Sequence, residues 1–205
     1  ETRPLPASGA GPSPDRWILG SEGIFGIVAD ATVDVRPRPA HRASATVRFA
    51  GFWDAAEASR AIVQSGLTPA NCRVLDEREA ALNGAALDGS ALLLLGFESA
   101  DHPQGDLLAR ALRLAEDLGG RCPEGPRVRE GEGPRASTED GAEAWRAAFV
   151  DAPYLQTNLV SLGILADTFE TATTWSSFPE LHRALVSEMR GAMKRLAGAG
   201  QLSCR

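Results

Sequence analysis

Three glycines, Gly20, Gly23 and Gly26, punctuate the run Gly20-Ser21-Glu22-Gly23-Ile24-Phe25-Gly26-Ile27-Val28. Backbone without Cβ atoms turns sharply and can lie close against a flat ligand, and the apolar residues between the glycines would offer that ligand greasy contact. Spacing alone also describes a glycine-punctuated turn between two strands. Arg73, inside Cys72-Arg73-Val74-Leu75-Asp76, is the second candidate. An arginine in mid-strand either faces solvent or uses its planar fork on a phosphate or carboxylate. The third is Ile164 to Trp175, where Asp167, Glu170, Thr168, Thr171, Thr173 and Thr174 interrupt the alternation of a half-buried strand. Two readings of it stand side by side, an edge strand with a solvated face and a strand with one face on a polar cavity.

Other chemistries find little support. Cys72, Cys122 and Cys204 are far apart, and no CxxC pair exists. Zinc, iron–sulfur and dithiol readings therefore fail, and a reducing cytoplasm is the expected location. His41, His102 and His182 are scattered near element boundaries and read as surface histidines, with no metal site or histidine-based triad. The formal net charge of −6 argues against a nucleic-acid surface. The longest apolar stretch, Ala91 to Leu95, is a buried strand and no membrane span.

The elements that must position these residues follow from periodicity. Glu1 to Arg16 is a loop rich in proline, glycine and alanine; Trp17–Leu19 and Ile27–Val35 read as strands; Arg36-Pro37-Arg38-Pro39 makes a rigid exit and a domain boundary. A strand follows over Ala45–Phe52, then a helix over Trp53–Ser65 with Trp53, Ala56, Ile62 and Val63 on one stripe, closed by Gly66. Asn71–Leu75 is a short strand, Asp76–Leu82 a helical stretch, and Ala91–Glu98 the central strand. Asp106–Leu118 is an amphipathic helix with Leu107, Leu108, Ala111, Leu112, Ala115 and Leu118 inward, stopped at Gly119-Gly120.

Gly125–Arg135 reads as an exposed loop, and Thr138–Phe149 as a helix capped by Ser137 with Trp145 and Phe149 inward. Ser177-Phe178-Pro179-Glu180 forms a capping box for a last helix with Phe178, Leu181, Leu185, Met189, Met193 and Leu196 at helical spacing. In 205 residues this order suits an α+β fold, an antiparallel sheet with helices on one face.

The glycine run resembles the G-(S/T)-E-G-T-(L/F)-G-(I/V)-(I/V) segment of FAD-linked oxidases of the vanillyl-alcohol-oxidase type. Phe169-Glu170-Thr171-Ala172-Thr173-Thr174-Trp175 is similar to the F-E-T-(A/S)-x-x-W stretch of the alkyldihydroxyacetonephosphate synthase-like branch, and Trp145–Phe149 and Pro153–Leu155 also look like its bacterial members. Cys72–Asp76 is similar to that branch's A-S-(I/V)-R-L-x-D element, and Ser203-Cys204-Arg205 to its C-R pair.

The resemblance implies a noncovalently bound FAD touched by Glu22, Gly23, Ile24, Phe25, Gly26, Ile27 and Val28, with Ile24 standing where most members have threonine. It implies that Arg73 and Arg205 hold a phosphate- or carboxylate-bearing, lipid-like substrate, although Arg205, as the last residue, has no following element to fix it.

It also implies residues 1–39 as the C-terminal edge of an FAD-binding domain and 40–205 as part of a ferredoxin-like substrate cap. The family's pyrophosphate-binding subdomain and its tyrosine and histidine cluster would then lie outside this stretch, leaving no catalytic residue within it. The implied reaction exchanges acyl for alkyl on dihydroxyacetone phosphate without net redox change. The alternatives are a flavin-dependent D-2-hydroxy acid dehydrogenase or oxidase, and a cap module that only folds or self-associates, a homodimer being the expected form if apolar surface is left uncovered.

Overall fold

The computed structural model describes residues 15–33, 35, 37–131, 154 and 156–205. The chain divides into two compact units, Glu1–Pro37 and Arg38–Arg205.

In the first unit a single helical turn, α1 (Asp15–Ile18), is followed by turns and then irregular chain without strand pairing among the described residues. The strands expected at Trp17–Leu19 and Ile27–Val35 are therefore not formed. Residues of high β-propensity make a strand only where a ladder satisfies their backbone groups, and no neighbouring strand lies beside them among the described residues.

The second unit is built on β1 (His41–Phe49), β2 (Asn71–Leu75), β3 (Ala91–Ser99) and β4 (Arg127–Glu130). They form one antiparallel sheet in the order β2-β3-β1-β4. With α2 (Phe52–Gln64) between β1 and β2 and α4 (Gly105–Glu116) between β3 and β4, this is the expected α+β, ferredoxin-like layer. The Ala91–Leu95 run is central, as its hydrophobicity predicts.

Alternation sorts the sheet into two faces. Ala43, Ala45, Val47 and Phe49 of β1 join Ala91, Leu93, Leu95 and Phe97 of β3 beneath Ala55, Ala58 and Ile62 of α2 and Leu108, Ala111, Leu112 and Ala115 of α4. On the opposite face Leu75, Leu92 and Leu94 pack against Ala80 of the short α3 (Glu77–Leu82) and Ala86. The inward stripe of α2 differs from the expected one. Alanines, which let helix and sheet approach closely, occupy it, while Trp53 and Val63 remain exposed. Gly120 serves the same close approach at the end of α4, since a Cβ there would lie 2.7 Å from Phe49 and Val47 side-chain atoms.

The loop expected at Gly125–Arg135 contains β4, which pairs with β1 from His41↔Glu130 to Ser44↔Arg127. Arg-Val-Arg-Glu carries one apolar residue, so its alternation is invisible to a hydrophobicity reading; charged side chains suit an edge strand. The helix expected over Thr138–Phe149, with Trp145 and Phe149, lies outside the described residues.

Ile164–Trp175 is irregular chain and no strand, with most of its residues exposed. Helix α5 (Phe178–Ala197) begins where expected, but its capping box does not close. Ser177 already has helical backbone angles (φ −93°, ψ −12°) and makes no side-chain cap bond, whereas a capping serine needs an extended backbone. Thr174 Oγ1 instead donates to Ser177 Oγ at 3.2 Å.

Thr46, 7% exposed in β1, has a hydroxyl with no hydrogen-bond partner among the described residues. Thr46→Val keeps the side-chain shape and removes the unmet polar group. It is expected to raise stability by about 1 kcal/mol, read as a higher urea midpoint at constant m. A lower midpoint would mean that the hydroxyl has a partner.

Candidate functional site

Arg73 sits in mid-β2, opposite Leu94 in the register, and so belongs to the sheet face away from α2 and α4. Its guanidinium is held below its ordinary pKa by burial and by the positive charge of Arg205, against the pull of Glu170. Two arginines from distant parts of the sequence are therefore within electrostatic range of each other, as is the Glu170 carboxylate of the 164–175 segment.

The chain arranges this through the turn out of β2. Asp76 follows the last strand residue and caps α3, its Oδ1 accepting from Glu79 N–H at 2.7 Å. Its Oδ2 accepts from Cys204 N–H at 2.7 Å, and Asp76 N–H donates to the Cys204 carbonyl at 2.9 Å. Glu79 takes Ser203 Oγ at 2.5 Å and lies 3.6 Å from the Arg205 guanidinium. Arg205 is thus anchored, contrary to the expectation from its place at the end of the sequence.

Burial pushes the Asp76 carboxyl up, offset by the amides of Glu79 and Cys204 and reinforced by Glu77 and Glu79 nearby. Burial, with Asp76 and Glu79 beside it, also pushes the Cys204 thiol up, so it stays protonated and is a poor nucleophile. Glu77 accepts from Phe52 N–H at 3.0 Å, which ties the start of α2 to α3.

That contact leads to an aromatic cluster which sequence reading missed. His182, expected at a boundary, lies inside α5 and stacks on Phe52 (centroids 4.9 Å, 18°), with Trp53 and Phe178 edge-on to it. An open cleft of ≈ 460 Å³ is lined by Trp53, His182, Arg183, Val186, Ser187 and Arg190. The available signal was its position one turn beyond Phe178 on the apolar stripe.

Burial lowers the His182 pKa, with Asp76 opposing and Arg190 adding to the shift. A histidine whose folded pKa is depressed contributes stability that is present above its ordinary value and lost as pH falls. His182→Phe, which keeps the stacking, should therefore lose less Tm than the wild type between pH 7.5 and 5.5. Equal losses in the two proteins would remove His182 from the acid response.

The glycine run, where a cofactor contact was expected, folds as turns. Ser21 N–H donates to the Ile18 carbonyl and Ile24 N–H to the Ser21 carbonyl, making successive turns with Glu22 at φ +50° and Gly23 at φ +88°. Phe25 and Val28 are exposed, Ile27 is 97% exposed, and a Cβ added at Gly23 or Gly26 would meet nothing within 4 Å. An open backbone flanked by apolar side chains fits a flat aromatic ring such as a flavin. Of the 164–175 candidates, Asp167 accepts from Thr168 N–H, and Glu170 acts on the charge of Arg73. Most residues of this segment are exposed. No group of three or more possible metal ligands occurs among the described residues.

Residues 38–202 match the family described as FAD linked oxidases, C-terminal domain. The chain belongs to this family. Among curated relatives of this FAD-linked oxidase domain are the alkyldihydroxyacetonephosphate synthases of Caenorhabditis elegans (24% identical, covering 95% of this chain) and Trypanosoma brucei brucei (21%, covering 98%). A mitochondrial D-lactate dehydrogenase [cytochrome] of Arabidopsis thaliana is 34% identical over 70 residues, covering 34% of this chain and 12% of the relative. The chain spans about a third of the length of the two synthases, 34% and 35%.

Two crystal forms of alkyldihydroxyacetonephosphate synthase share the fold, at TM-scores of 0.64 and 0.65 and 20% and 21% identity. They cover 91% of this chain and 38% and 36% of theirs. No helix among the described residues is long and apolar enough to cross a membrane.

Proposed function

We propose that this chain is the substrate-cap part of a cytoplasmic FAD-dependent enzyme of the alkyldihydroxyacetonephosphate synthase type, which exchanges the acyl group of an acyl-dihydroxyacetone phosphate for an alkyl group. In this reading residues 1–39 form the edge of the flavin domain and 40–205 the cap; the family match beginning at residue 38 supports the division.

The observation that carries the reading is the meeting of Arg73 and Arg205, arginines from distant parts of the sequence, on one side of the sheet. Two guanidinium groups together balance the double negative charge of a phosphate dianion and offer it planar, bidentate donors. The likeness to two synthases over nearly the whole chain supports it further.

FAD, when bound, supplies the reactive isoalloxazine ring. The chain's own share is binding and orientation. Glu22 to Val28 would lie along the ring, with Phe25, Ile27 and Val28 shielding it from water. Arg73 and Arg205 would hold the phosphate and so restrict the orientations open to the rest of the substrate.

The D-lactate dehydrogenase similarity favours a second reading, oxidation of a D-2-hydroxy acid with Arg73 on its carboxylate. The anaerobic visible spectrum of the full-length flavoprotein separates the two. Loss of the flavin band with palmitoyl-dihydroxyacetone phosphate, restored by a fatty alcohol, is the expected result. Bleaching by D-lactate and no response to the acyl phosphate would replace the synthase reading with the dehydrogenase.

A further inference from the structure

We propose that Asp76 and Glu79 are positioning residues for Arg205. Together they form a two-carboxylate clamp that seats Ser203-Cys204 and so presents the Arg205 guanidinium beside Arg73. The inference rests on the reading of the two arginines as an anion subsite.

The 203–205 segment has no regular secondary structure, so its placement depends on bonds made elsewhere. Asp76 supplies a two-way link to Cys204, donating from its N–H to the carbonyl at 2.9 Å and accepting the Cys204 N–H at 2.7 Å on Oδ2. Glu79, only 9% exposed, grips one residue to each side, Ser203 Oγ through Oε2 at 2.5 Å and Arg205 through Oε1 at 3.6 Å.

The other bonds of these carboxylates are local and would exist without the tail. Asp76 Oδ1 caps α3, and Glu79 Oε1 takes the Asn83 amide at 3.1 Å. In Asp76 one oxygen therefore serves α3 and the other Cys204, whereas Glu79 gives Oε2 to Ser203 and shares Oε1 between Asn83 and Arg205.

The arrangement also answers an electrostatic problem. Two guanidinium groups brought together repel, and partial burial strengthens that repulsion. Glu79 lies against Arg205, and the charge of Glu170 offsets that of Arg73. The clamp thus holds the second cation in place before any anion arrives, so that a bound phosphate need not order it.

The test uses the full-length flavoprotein and the variants Glu79→Gln, Ser203→Ala, Arg205→Ala and the double variant Glu79→Gln/Arg205→Ala. Two readouts are needed: amide hydrogen exchange at residues 203–205, and the KM for palmitoyl-dihydroxyacetone phosphate with inorganic phosphate as competitor. Glu79→Gln and Ser203→Ala are expected to speed exchange at 203–205. Glu79→Gln should also raise both KM and the phosphate inhibition constant about 10-fold, with a smaller change in kcat.

In the Arg205→Ala background Glu79→Gln should have no further effect on KM, because it acts through that arginine. Additive losses there, or unchanged exchange in Glu79→Gln, would overturn the clamp. An Arg205→Ala variant with unaltered KM and phosphate inhibition would instead overturn the anion reading of Arg205, leaving the exchange result to judge the seating of the segment by itself.

Discussion

Arg73→Ala in the full-length flavoprotein is expected to lower kcat/KM for palmitoyl-dihydroxyacetone phosphate by about 100-fold with the fold intact. A charge-assisted hydrogen bond to an ionised group contributes about 1.5–3 kcal/mol, which is roughly 10- to 150-fold at 1.4 kcal/mol per decade. The fold should tolerate the change. Arg73 is half-buried in a short strand, and both burial and the charge of Arg205 oppose its own. Removing the guanidinium relieves that repulsion, and the change in stability should stay within about 1 kcal/mol. Arg73→Lys should recover only part of the rate, because a point charge cannot reproduce the planar fork. Thermal unfolding run beside steady-state kinetics decides the matter: a lost rate with an unchanged Tm supports anion binding. Parallel losses of rate and Tm would make Arg73 a structural residue.

Phe97→Ala is expected to bring the largest loss of stability. Phe97 is 1% exposed and lies in the central strand opposite Ala43, in the core that Leu93, Leu95, Phe49, Ile62 and Leu108 complete. The small residue across the ladder cannot expand to fill the space, so the cavity persists. Such truncations cost about 3–5 kcal/mol, against a typical domain stability of about 5–15 kcal/mol. Urea unfolding should show the midpoint falling steeply with m unchanged. A loss under about 1 kcal/mol would show that α2 and α4 settle into the gap.

Much of the layer was legible because its signals are local. The β1 alternation through Val47 and Phe49, the leucine run of β3 and the amphipathic stripe of α4 each lie within a few residues of sequence. Asn71–Leu75 was read with the bounds it has. β4 was missed because a four-residue edge strand of charged residues carries no hydrophobic period; its partner β1 makes it a strand. The opposite error occurred at Ile27–Val35 and Ile164–Trp175, where β-favouring residues lack a ladder among the described residues. The capping box at Ser177 failed for a backbone reason, since a serine already in helical conformation cannot present its hydroxyl to the amides ahead of it.

The candidate site divides in the same way. Residue type and spacing left Arg73 as either a surface or an anion-binding arginine and the glycine run as a turn, and the family resemblance singled both out. Neither could show that Asp76 and Glu79 seat Ser203 and Cys204, that Arg205 comes to rest near Arg73, or that His182 stacks on Phe52. By itself, then, the sequence determined the three strands β1 to β3, the helices between and after them, the inward stripe of α4 and the family. Tertiary structure alone decided which carboxylate meets which cation. Periodicity is written by near neighbours along the chain, whereas a contact between distant residues exists only once the segments between them have packed.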